Sequence, residues 1–188
     1  MTQFLAEDSR VGDRDEVKVW DPFVRTFHWS LVALFAIAFV TQDSYELVHQ
    51  SAGYAILALV ALRIFWGFIG SEHARFRDFV YSPREVARFL FDSMTFRAKR
   101  YIGHNPAGGV MVIALLLMLL VVCATGVMLT MDALWGQKWV EEAHRCAVAI
   151  MLGLIGLHLI GVLVASVEHG ENLVRSMLTG RKRAAQSE

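Results

Sequence analysis

Four stretches of this chain are each long and apolar enough to match the thickness of a lipid bilayer, and that leaves few folds open. They run over residues 23–41, 51–70, 107–131 and 142–167. A helix rises about 1.5 Å per residue, so roughly 20 residues cross the hydrocarbon layer of about 30 Å. Backbone polar groups find no water there, which makes a helix the natural state of each stretch. Apolar residues make up 55% of the 188, and mean hydropathy is +0.44, unlike an ordinary soluble domain. The expectation is an all-α, integral membrane four-helix bundle. Within its spans the charged groups are Arg25 near the start of the first, Arg63, Glu142 and Arg145, beside a few histidines.

Four crossings put both ends of the chain on one side, and the charge of the connections says which. The segment 71–106 carries Arg75, Arg77, Arg84, Arg88, Arg97, Lys99 and Arg100, and the end of the chain adds Arg175, Arg181, Lys182 and Arg183. The first connection, 42–48, has Asp43 and Glu46 with no basic residue, and the third has only Lys138 beside acids. Excess Lys and Arg mark the cytoplasmic side, so both termini and the long middle segment are expected there. The formal net charge of zero conceals this asymmetry. The first twenty residues are polar and acid-rich and do not read as a cleavable signal peptide, so insertion through the first span is expected.

Local signals divide the chain into a cytoplasmic N-terminal segment 1–20, a transmembrane unit 21–180 and a frayed basic tail 181–188. Asp21-Pro22 offers an N-cap followed by a first-turn proline. Ser82-Pro83-Arg84-Glu85 reads as a capping box, launching a short helix that lies on the cytoplasmic membrane surface, with Val86, Phe89 and Leu90 on one side and Arg84 and Arg88 toward water. The alternative there is a plain polar connector. His104-Asn105-Pro106-Ala107-Gly108-Gly109 marks the entry to the third span, and Trp20, Trp29, Trp66, Trp135 and Trp139 lie near span ends as interfacial anchors would. Glycines such as Gly53, Gly126 and Gly153 allow close helix contact, a homodimer face, or room for a flat cofactor. Cys123 and Cys146 are read as buried packing residues; without a CxxCH motif, covalent haem attachment is excluded.

Histidines carry the chemistry. A polar ring nitrogen is costly in hydrocarbon unless partnered, which makes each intramembrane histidine a functional candidate. His144 and His158 are fourteen residues apart, nearly four turns, so both rings leave one helix face about 21 Å apart. His49 stands at the outer end of the second span and His28 near the inner end of the first. Depth therefore pairs His49 with His144 and His28 with His158. Neutral imidazole is an axial ligand of haem iron, so the ladder points to two haems at separate heights. Arg63 lies fourteen residues beyond His49, level with the inner pair. There its guanidinium either neutralises a propionate or snorkels to the membrane edge. His73, His104 and His169 fall at the cytoplasmic interface, where solvation, propionate contact, a quinone pocket or proton transfer are all open readings.

The strings VWDPFVRTFHW, HQSAGYAILALVALRIFWGFIGSEHARFRDFV, RYIGHNPAGG and ENLVRSMLTGRKR, spread over residues 17–183, resemble the bacterial cytochrome b561 and nickel-hydrogenase cytochrome b superfamily. The resemblance implies a four-helix inner-membrane cytochrome with two non-covalent b haems, ligated by His28, His49, His144 and His158. It also implies electron transfer between a quinone pool (ubiquinone or menaquinone) and a periplasmic partner such as a c-type cytochrome or a hydrogenase. One branch of the superfamily is a superoxide:ubiquinone oxidoreductase acting without a protein partner. The outer connections here are acidic, with Lys138 and Arg145 the nearby cations, which disfavours steering of an anionic substrate. A histidine-based metal transporter is the remaining alternative, but metal ions want ligands converging on one point, and these separate into two levels. Nothing suggests nucleic acid.

Overall fold

The computed structural model describes residues 16–184. Its long helices are α1 (Pro22–Thr41), α2 (Glu46–Ile69), α4 (Pro106–Leu129) and α5 (Lys138–Glu168), each apolar enough to cross a membrane. The shorter α3 (Pro83–Met94) and α6 (Leu173–Thr179) lie between and after them. Two strands, β1 (Glu16–Lys18) and β2 (Arg181–Arg183), complete the elements beside short 3-10 turns at Phe76–Asp78 and Asp132–Leu134. The protein is a multi-pass helical membrane bundle.

Helix starts follow the chemistry read from the sequence. Asp21 caps α1 by accepting from the Val24 amide at 2.8 Å, with Pro22 in the first turn where a missing N–H costs nothing. Ser82 and Glu85 form the reciprocal capping box of α3. Asn105 caps α4 in the same way as Asp21 caps α1. Two spans are longer than their apolar windows at the ends away from the β1–β2 pair: α2 starts at Glu46 and α5 at Lys138. Polar first turns there extend each helix past the hydrocarbon edge, so that His49 and His144 both sit inside helical backbone.

Packing is uneven. α1 lies along α2, α4 along α5, and α2 against α4; among the described residues α5 has no comparable packing on α1 or α2. The shared core joins Phe27 of α1, Ile56 and Val60 of α2, Leu116, Leu119 and Cys123 of α4, and Met151 of α5. Val60 and Leu119 are almost completely enclosed. Most other apolar side chains of the spans point outward, Val40, Leu62, Phe65 and Leu163 among them. In lipid such residues are already in their own solvent, so cohesion rests on close packing and buried polar contacts.

Three expectations need correction. The tail is not frayed where it is described: Arg181–Arg183 pairs antiparallel with Glu16–Lys18, placing Glu16 opposite Arg183. Gly180 makes the preceding turn at φ +81, and a Cβ there would come 2.8 Å from the Trp20 carbonyl. Its own carbonyl accepts from the Val19 and Trp20 amides. The pairing holds both ends of the bundle on one side. Trp20 is buried against the protein rather than anchoring at an interface, because Lys182 and His104 close over it. Cys146 is exposed on α5, whereas Cys123 is buried as expected. The rest of segment 1–20 and of the tail lies outside the described residues.

Candidate cofactor sites

His49 and His144 face each other across the loosely packed side of the bundle, with ring centroids 6.3 Å apart. Both rings are oriented through Nδ1. His49 Nδ1 lies 2.8 Å from the Ala38 carbonyl, which can only accept, so the ring carries its hydrogen there. His144 Nδ1 lies 3.0 Å from Thr125 Oγ1. The Thr125 hydroxyl spends its own hydrogen on the Val121 carbonyl at 2.8 Å, so it accepts from His144. Each Nε2 is then a bare lone pair, the state that a metal-binding imidazole needs. Thr125 was not read as a site residue. Its only signal was a hydroxyl in an otherwise apolar span, level with His144.

His28 and His158 form the second level. His158 stands close enough to His28 to act on it electrostatically, and both rings are largely enclosed. His28 Nδ1 is buried with no hydrogen-bond partner among the described residues. The neighbouring Trp29 meets the His28 ring edge-on at 5.1 Å. This level therefore lacks the carbonyl and hydroxyl supports of the other.

Arg63 does not snorkel. It is 3% exposed, packs its guanidinium over the Phe76 ring at 5.4 Å and donates from Nη2 to the Ala74 carbonyl at 3.0 Å. Nη1 is buried without a partner, and no carboxylate of the described residues forms an ion pair with it. The nearest acid with influence on it, Asp21, is engaged elsewhere, by Ser71, by Trp66 Nε1 at 3.2 Å and by Val24. A buried cation lacking a counter-ion is costly, and the arrangement calls for an anion.

The three interfacial histidines separate. His169 caps the end of α5, and its carbonyl accepts from Arg183. His73 adopts φ +69 and packs against Gly103. His104 is held between Trp20 and Phe79, at 4.7 Å from each ring centroid. Burial first, then the charges of Arg63, Lys182 and His73, push its imidazole down to about 3, against a hydrogen bond to the His73 backbone. Its Nδ1 is sealed and unpartnered.

A family model described as Prokaryotic cytochrome b561 matches residues 19–180. The chain belongs to that family. Being a member makes it a membrane b-type cytochrome: it carries haem b and transfers electrons. A probable Ni/Fe-hydrogenase B-type cytochrome subunit of Rhizobium leguminosarum bv. viciae is 20% identical to this cytochrome, over 94% of the chain and 93% of that relative. Proteins of the same description from Azotobacter vinelandii and Rhodobacter capsulatus are 28% and 26% identical, over 53% and 50% of the chain. The chain spans about half the length of those two relatives in these matches. No solved structure matches it.

The residues fit the group. With a metal–nitrogen bond of about 2 Å, imidazoles on opposite sides of one metal have ring centroids about 6 Å apart. The His49–His144 separation of 6.3 Å meets that requirement. Gly53 and Gly161 stand one turn from His49 and His158 on the same helix faces, and a Cβ on either would meet nothing within 4 Å. A flat macrocycle finds room beside both levels.

Proposed function

We propose that this cytochrome holds two b haems in series, one between His49 and His144 near the outer face and one between His28 and His158 near the cytoplasm. Bound there, the haems would supply one-electron transfer between membrane quinone and a periplasmic redox partner. The observation that carries the reading is the outer pair: two imidazoles at haem-ligand spacing, each with Nδ1 engaged and Nε2 bare. Haem iron supplies reversible one-electron chemistry when bound. The chain's own residues fix the axial rings, keep water out of the apolar interior and place Arg63 where it meets an inner propionate. Relatives named as hydrogenase cytochrome subunits make a hydrogenase the first partner to test, with a soluble c-type cytochrome second. The basic connections point the termini into the cytoplasm of a bacterial inner membrane. A superoxide-oxidising activity is disfavoured by the acidic connections, where Glu46, Asp132, Glu141 and Glu142 outnumber Lys138 and Arg145.

Purified protein should contain two haems per chain by pyridine haemochrome assay. His158→Ala should remove only the inner spectral component, and His49→Ala only the outer. A preparation with one haem, or retention of both components in either variant, would overturn the assignment.

A further inference from the structure

Among the buried polar atoms that find no hydrogen-bond partner in the described residues are Arg63 Nη1 on α2 and His104 Nδ1 just before α4. They belong to one cluster. The Arg63 guanidinium lies over Phe76, Phe76 meets Phe79 at 5.7 Å, Phe79 meets the His104 ring, and the Arg63 charge acts on His104 directly. The cluster sits below the inner histidine level. Trp66 reaches Asp21, which places Arg63, one turn deeper, a few ångströms on the cytoplasmic side of His28.

The two atoms want different things. Arg63 Nη1 is a permanent donor. His104 gives its other ring nitrogen to the His73 carbonyl, so in the neutral ring Nδ1 is an acceptor. A carboxylate bonds to Arg63 at once but reaches Nδ1 only through a proton. We propose that Arg63 and His104 together seat one propionate of the inner haem, and that His104 Nδ1 and this carboxylate share a proton taken up when the inner haem is reduced. This rests on the two-haem reading above. The balance would be one electron arriving at the inner site, from the outer haem or from quinol, with one proton from the cytoplasm to the His104–carboxylate pair, both released on oxidation. The charged and titratable groups facing His104 are Arg63 from α2, His73 from the connecting turn and Lys182 from β2; Tyr81 bonds only its backbone carbonyl. All three side chains oppose protonation, and the seated carboxylate offsets them. A quinol hydroxyl would also satisfy Nδ1. Trp20 and Phe79 close over the ring on both sides, however, which favours a group held inside the protein.

Redox titration of each haem across pH, in detergent and free of quinone, tests the proposal. The inner midpoint should fall tenfold in equilibrium constant per pH unit, about 59 mV for one electron, while the outer stays flat. His104→Gln, which keeps a hydrogen-bonding side chain but cannot titrate, should flatten the inner slope with both haems bound. Arg63→Gln should keep the slope and move it to higher pH, since a cation that resists protonation is gone. An unchanged inner slope in His104→Gln overturns the proposal, as does a slope that appears only when quinone is added. A wild-type sample lacking the inner haem overturns the two-haem reading first, and the proton seat with it.

Discussion

In the proposed outer site, Thr125 would set how strongly His144 binds iron. By accepting from Nδ1–H it makes the ring a better electron donor, which favours the oxidised state of a coordinated iron. Thr125→Val preserves shape and removes the acceptor, so the outer haem's midpoint should rise while the inner one is unchanged in a potentiometric titration. The histidines themselves were legible because fourteen-residue spacing fixes both face and depth. Thr125 was not, because a threonine in a membrane helix satisfies its hydroxyl on its own backbone whether or not a ring lies across from it. Arg63 was legible in depth but not in environment: its seal depends on Ala74 and Phe76, which arrive from a turn whose path periodicity does not describe.

Asp21 acts as more than the cap of α1. The same carboxylate accepts from Ser71 and from Trp66 Nε1, so it ties the start of the first span to the end of the second. Asp21→Ala should cost about 2 kcal/mol from the lost cap and cross-helix bonds, read by thermal unfolding in detergent. Burial alone would raise its pKa, but the bonds from Ser71, Val24 and Trp66 outweigh that and hold it below the ordinary 3.8. A carboxyl with a lowered pKa contributes stability that is complete above 3.8 and lost as pH falls through the folded value. The wild-type protein should therefore lose stability below that pH more steeply than Asp21→Ala does. At this scale helix identities were readable from apolar length and caps, whereas the starts of α2 and α5 were not, since Glu46 and Lys138 carry no apolar signal. The α3 capping box was readable, and the helix it starts turns Leu90, Phe91 and Met94 outward. An apolar ridge beside exposed Arg84 and Arg88 suits a helix resting on a membrane surface.

Taken whole, the molecule is asymmetric in charge and in closure. Its basic connections gather at the end that also holds the pair Glu16–Lys18 and Arg181–Arg183, so the proposed orientation has a direct check. A fluorescent protein fused after residue 188 should light up in cells, and a phosphatase that works only in the periplasm should stay inactive there. The reverse pattern would invert the bundle and both haem levels. Four spans were visible in the apolar pattern, and their even number already brought β1 and β2 to one end of the bundle. The loose contact of α5 with α1 and α2 was not, because no pattern along one helix records how far away its neighbour stands.

The strand formed by Arg181–Arg183 has a consequence for biogenesis. Its partner, Glu16–Lys18, emerges from the ribosome before any helix, yet must wait for all four crossings before the two can meet. Lys182 then settles over Trp20, with its ammonium 5.8 Å from the indole. A segment made before the four crossings is thus latched by one made after them, and a nascent chain stopped after α5 would leave that mouth of the bundle unfastened.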